Sequence, residues 1–108
     1  MTVALTEADA GKSIEVGEGE EIVVVLEENP TTGYRWQVDR TNGILELEGD
    51  SYTPDPEMRF GSGGKRELRF RRTGPGTGRL ELKLWQEWEG ESSVTKRFGV
   101  EILPSTDG

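Results

Sequence analysis

Arg79-Leu80-Glu81-Leu82-Lys83-Leu84 decides the fold, because its leucines and charged residues alternate with a period of two. In an extended chain successive side chains point to opposite faces, so this pattern belongs to a strand with one apolar and one wet face. The same period places Leu68 and Phe70 among Glu67, Arg69 and Arg71, and recurs at Phe98, Val100 and Ile102. It appears again at Tyr34, Trp36 and Val38, and where Leu45 and Leu47 alternate with Glu46 and Glu48. Ile22-Val23-Val24-Val25-Leu26 is a continuous, largely β-branched run and predicts a central strand covered on both faces. Thr2–Thr6 and Ser13–Val16 are shorter candidates. Helical spacing is never kept over ten residues without a Gly or Pro interrupting it, and most of the 15 glycines fall between the strand candidates. Seven or eight short strands with turn signals between them predict an all-β antiparallel sandwich.

With 108 residues the chain has room for one domain, residues 1–108, and residues 104–108 read as a flexible tail. Leu, Ile, Val and Phe make up about 22% of the sequence, just above the roughly 20% below which a highly charged chain stays disordered. The absences narrow the function. Without Cys there is no disulfide framework, thiolate nucleophile or Cys-type zinc site, and without His there is no Ser-His-Asp triad and no ordinary side-chain switch near pH 6–7. A net charge of −8 argues against nucleic acid as a partner, since phosphate recognition relies on clustered Lys and Arg. The longest apolar run, Ile22 to Leu26, is far short of the roughly 20 residues of a membrane span, and no signal peptide is read before the first strand. A monomeric binding domain is expected, with no metal, no cofactor and no contact with membranes.

Three loop segments stand out. Asn29-Pro30-Thr31-Thr32-Gly33 lies between two strand candidates. Pro30 fixes its own φ and keeps Asn29 out of the α region, Thr31 and Thr32 are stiff at χ1, and Gly33 permits φ > 0. These residues specify one loop shape with two small hydroxylated side chains at its tip, although on composition alone an ordinary strand connection accounts for them too. Gly61-Ser62-Gly63-Gly64 closes a long connection between Tyr52 and Lys65. It lacks the Lys-Ser/Thr ending of a P-loop and opens no helix, so it reads either as a flexible tip or as backbone open to a partner. Trp85-Gln86-Glu87-Trp88-Glu89-Gly90-Glu91 follows the leucine strand, with Trp85 on the face opposite the leucines. Trp88 reads either as an exposed interface anchor or as a ring folded back over the sandwich edge. Its neighbours Glu87, Glu89 and Glu91 form a solvated acidic run rather than a glycosidase pair or a Ca²⁺ site.

Taken in order, Asn-Pro-Thr-Thr-Gly-Tyr-x-Trp, then Gly-x-Gly-Gly, then a Trp-bearing loop before the last strand resembles the chagasin family of cysteine-peptidase inhibitors, from about Val3 to Leu103. The third motif departs from the family's Arg-Pro-Trp: here Gln86-Glu87-Trp88 keeps the aromatic and loses the cation and the proline. The resemblance implies an immunoglobulin-like β-sandwich with three loops side by side at one end. It implies no enzymatic chemistry, but reversible occlusion of the active-site cleft of a papain-like cysteine peptidase. The Thr31-Thr32 tip would cover the catalytic cysteine, Gly61 to Gly64 would lie along the non-primed side, and Trp88 would pack on the primed side. The protease-binding set is then Asn29, Pro30, Thr31, Thr32, Gly33, Gly61, Ser62, Gly63, Gly64, Gln86, Glu87 and Trp88, while Tyr34 and Trp36 support the first loop from beneath. An immunoglobulin-like module binding another protein or a glycan shares the fold and stays open on the sequence alone, whereas a carboxylate-dependent hydrolase needs a concave site that a thin sandwich rarely offers.

Overall fold

The computed structural model describes residues 2–29, 32–54 and 63–105, and among these the chain forms eight strands in two four-stranded sheets. One sheet has the spatial order β1 (Thr2–Leu5), β3 (Glu21–Glu28), β6 (Gly64–Arg72), β5 (Leu45–Pro54). The other runs β2 (Ser13–Glu15), β8 (Lys96–Leu103), β7 (Gly78–Trp85), β4 (Arg35–Arg40). This is the β-sandwich anticipated from the alternation, of the immunoglobulin-like kind that the family resemblance implies. The inward positions of the two sheets meet in one core: Ile22, Val24, Leu26, Leu68 and Phe70 from the first, Trp36, Leu80, Leu82, Phe98, Val100 and Ile102 from the second.

Pairing is antiparallel except at one edge of each sheet, where β1 runs parallel to β3 and β2 parallel to β8. No hairpin joins either edge strand to its neighbour. After β1 the chain turns through a 3₁₀ segment, Glu7–Asp9, and enters the other sheet as β2, so nothing obliges the pairing to reverse direction.

Two expectations change. The run Ile22–Leu26 is central, as read, but only one face of it is fully covered: Ile22, Val24 and Leu26 are buried, while Val23 and Val25 are half-buried opposite Arg69 and Glu67. The charged row on the outer face takes the place of a second layer. The long connection after Tyr52 is also shorter than its composition suggests, because pairing continues through Thr53↔Lys65 and Pro54↔Gly64. Pro54 is tolerated there because β5 is an edge strand and needs no outward donor.

Register places the functional end. In the first sheet Glu28 pairs with Gly64, and Gly64 with Pro54; in the second, Arg35 pairs with Trp85. The loops that leave Glu28, enter Arg35, precede Gly64 and follow Trp85 therefore lie at one pole. At the other pole β6 ends in Arg72, which is 2% exposed. Its guanidinium donates to the carbonyls of Gly74 (2.9 Å), Val16 (3.1 Å), Leu103 (3.2 Å) and Gly76, tying several connections together.

Candidate functional site

The first loop is held at its base by a buried carboxylate. Glu28 continues the inward parity of Ile22, Val24 and Leu26 and is 4% exposed. Its Oε1 accepts the main-chain N–H of Trp36 (2.7 Å), and its Oε2 accepts Nε (3.0 Å) and Nη2 (2.6 Å) of Arg66. Arg66 also donates to Asp50 (2.7 Å) and lies 5.6 Å from the Tyr52 ring centroid. Burial pulls the Arg66 pKa down, but the hydrogen bonds to Glu28 and Asp50 outweigh it and hold the guanidinium above its ordinary value. Trp36, buried in the core, donates its indole N–H to the Glu27 carbonyl (2.9 Å). The two strands that carry the loop are thus clamped together across the sandwich by Glu28 and Trp36.

Within the loop, Thr32 bonds back to Asn29: both its amide (3.2 Å) and its hydroxyl (2.7 Å) donate to the Asn29 carbonyl. The hydroxyl oxygen also accepts the Tyr34 amide (3.4 Å). Gly33 has φ +80°, in the left-handed region that a glycine permits. A Cβ there would stand 2.5 Å from Cη2 of Trp88, so a side chain at this position would displace that ring as well as strain the backbone. Pro30 and Thr31 lie outside the described residues, as do Gly61 and Ser62.

The second loop reaches the first at Gly63, where a Cβ would meet the Glu28 carbonyl at 2.6 Å and Asn29 at 3.1 Å. Gly64 opens β6 between Glu28 and Pro54. Between these two loops lies a groove of about 560 Å³, lined by Asn29, Thr32, Tyr34, Pro54, Gly63 and Leu84 among others. Tyr34, expected to support the loop from beneath, lines this groove.

The third loop is two consecutive 3₁₀ turns, Glu87–Glu89 and Glu91–Ser93. The Ser93 hydroxyl accepts the Gln86 amide (2.9 Å) and donates to the Gly90 carbonyl (2.6 Å), cross-linking the two turns. Beneath them, Lys83 on the outer face of β7 lies 3.7 Å from the Trp85 ring centroid and donates to Glu91 (2.6 Å). That hydrogen bond is the main reason the Glu91 carboxyl lies below the usual carboxylate range. Alternation correctly put Lys83 on the face away from the core, yet it is 8% exposed because Trp85 and the third loop cover it. Trp88 is 69% exposed, and the tip of its ring leans on Gly33. It neither folds over the sandwich edge nor stands free, but joins the first loop to the third. Gln86 Nε2 adds a hydrogen bond to the Thr32 carbonyl (3.1 Å).

Asn29, Thr32, Gly33, Gly63, Gly64, Gln86, Glu87 and Trp88 therefore lie together at one pole. The Chagasin family peptidase inhibitor I42 model matches residues 15–102. The chain belongs to the chagasin family. Members are peptidase inhibitors, not enzymes. Among this family member's relatives, Amoebiasin-1 of Entamoeba histolytica is 33% identical over 89 residues, covering 80% of this chain and 84% of that protein. Chagasin of Trypanosoma cruzi is 27% identical over 106 residues, covering 93% and 96%. The crystal structure of the cysteine protease inhibitor EhICP2 from Entamoeba histolytica shares the fold at a TM-score of 0.81, with 21% identity over 96% of this chain and 95% of that one. Sequence reading missed the Glu28–Arg66 clamp in this chagasin-family chain, although a signal was present. Glu28 and Arg66 both fall on the inward parity of their strands, next to Leu26 and Leu68, and a charge there requires a partner.

Proposed function

We propose that this chain inhibits papain-like cysteine peptidases reversibly and tightly, as a monomer, by seating its loop pole in the active-site cleft. Thr31 and Thr32 cover the catalytic cysteine, Gly61 to Gly64 run along the non-primed side, and Trp88 packs on the primed side. The observation that carries this reading is the continuity of the pole: Gly63 abuts Glu28 and Asn29, Gln86 bonds to Thr32, and Trp88 touches Gly33. Side chains distant in sequence thus present one surface. Inhibition requires filling a cleft without being cleaved. The internal Thr32–Asn29 hydrogen bonds and the positive φ of Gly33 keep the loop in a turn, unlike the extended backbone of a substrate. Preorganisation also limits the entropy lost on docking. Complexes of this kind bury about 1,600 Å² in total, within reach of three adjoining loops.

Titration of papain and several cathepsin-like peptidases with the intact chain tests the proposal. The expected result is nanomolar-range inhibition of at least one enzyme, relieved by a small active-site-directed ligand. Full activity of every enzyme at micromolar chain, or binding that such a ligand does not displace, would overturn it.

A further inference from the structure

We infer that Gln86 is a positioning residue that orients the first loop from the third, rather than a peptidase contact; this rests on the inhibitory reading above. The loop's own bonds, from the Thr32 amide and hydroxyl to the Asn29 carbonyl and from the Tyr34 amide to the Thr32 hydroxyl, set its shape. They do not set its tilt on the sandwich. The Thr32 carbonyl, immediately before the left-handed Gly33, takes its hydrogen bond from Gln86 Nε2 (3.1 Å), across the gap between the loops.

Gln86 is well placed to hold a position. Its amide donates to Ser93, and its carbonyl accepts the amides of Glu89 (2.9 Å) and Gly90 (3.2 Å), so its backbone is anchored within the two 3₁₀ turns. Those turns are fastened in turn to β7 and β8 through Glu91, which meets Lys83 at 2.6 Å and Arg97 at 3.3 Å. The half-buried side chain lies beside Gly33, its Nε2 3.5 Å from the position of a Cβ there, and Trp88 covers the same glycine. A rigid third loop is thereby transmitted to Thr32 through one amide. A donor at position 86 is the chemical requirement, and an apolar side chain of equal length leaves the Thr32 carbonyl without it.

The test uses the full chain with Gln86→Met, which keeps length and removes the donor, and Gln86→Arg, which restores one. In the free protein, Gln86→Met is expected to speed amide exchange at Thr32 and Tyr34 by about threefold or more, with Phe70 and Leu82 unchanged. Its dissociation from papain should rise about three- to tenfold, the usual worth of one hydrogen bond, at an unchanged association rate. Gln86→Arg should return both readouts to the parent values. Faster dissociation with unaltered exchange in the free protein would make Gln86 a direct contact and overturn the inference. Faster exchange in every strand would reduce it to a general stabiliser and overturn it equally. If the parent chain leaves papain and the cathepsin-like peptidases fully active, the inhibitory reading falls instead, and exchange at Thr32 and Tyr34 alone decides whether Gln86 holds the loop.

Discussion

At the pole away from the loops, Arg72 gives its hydrogen bonds to the main-chain carbonyls of Val16, Gly74, Gly76 and Leu103. At the loop pole, Glu28 and Arg66 bond to each other, with Trp36 N–H and Asp50 completing the group. Both arrangements place charge at inward strand positions, where desolvation is costly unless hydrogen bonds offset it. Their consequences differ. Arg72 spends its donors on several connections and closes that end of the sandwich. The Glu28–Arg66 pair lies wholly below the loop, so it fixes the loop's base while Thr32, Trp88 and the Gly63 backbone remain at the surface. A staple and a platform are thus made from the same chemistry, and only the platform leaves a surface to be used.

The strongest way to break this contrast is to remove each charge. Arg72→Leu removes the donor shared by four main-chain carbonyls, the buried one of Val16 among them, and should lower unfolding stability by about 3–5 kcal/mol, read by urea denaturation. Inhibition by the folded protein should stay within about twofold of the parent, and a larger change would erase the distinction between the poles. Glu28→Gln should cost less, about 2–3 kcal/mol, because Arg66 retains Asp50. It should also weaken inhibition about tenfold as the base of the first loop loosens.

Trp88→Ala gives the converse pattern. Loss of an exposed interfacial anchor commonly costs about 2 kcal/mol or more in binding, roughly 30-fold in the inhibition constant. Its effect on unfolding stability should stay within about 0.5 kcal/mol, because the ring is 69% exposed. A large fall in melting temperature with unchanged inhibition would show Trp88 to be structural and would sharpen the contrast against the proposal.

The smallest effect concerns pH. The hydrogen bond from Lys83 lowers the Glu91 pKa in the folded chain. Its contribution to third-loop order is therefore complete above the ordinary carboxylate value and is lost as pH falls through the lower folded one. Inhibition measured with an acid-stable papain-like peptidase should show no Glu91-dependent change from pH 7 to 5. Below the ordinary carboxylate value of about 4.3 the parent should begin to converge on Glu91→Gln, and a difference between them that changes between pH 6 and 7 would contradict this.

Much of the fold was legible because alternation is a local property. Leu80, Leu82, Phe98, Val100 and Ile102 occupy the inward positions their spacing predicts, and all are buried. The first loop was legible in part at Gly33, where the residue type permits the left-handed φ that the loop adopts. The extent of β5 was not. Pro54 and the glycines after it look like loop, and only the cross-strand partners Lys65 and Gly64 keep Thr53 and Pro54 in the sheet.

By itself, the amino-acid order determined the strand faces, the absence of thiol and imidazole chemistry, and the three motifs that resemble the chagasin family. Only the tertiary structure decided that Glu28 finds Arg66, that Lys83 is covered by Trp85 and the third loop, and that Gln86 reaches Thr32. Faces follow from the geometry of one extended chain, readable residue by residue. Glu28 and Arg66, like Thr32 and Gln86, stand dozens of positions apart and are matched by sheet register and by the packing of two sheets, which no local pattern encodes.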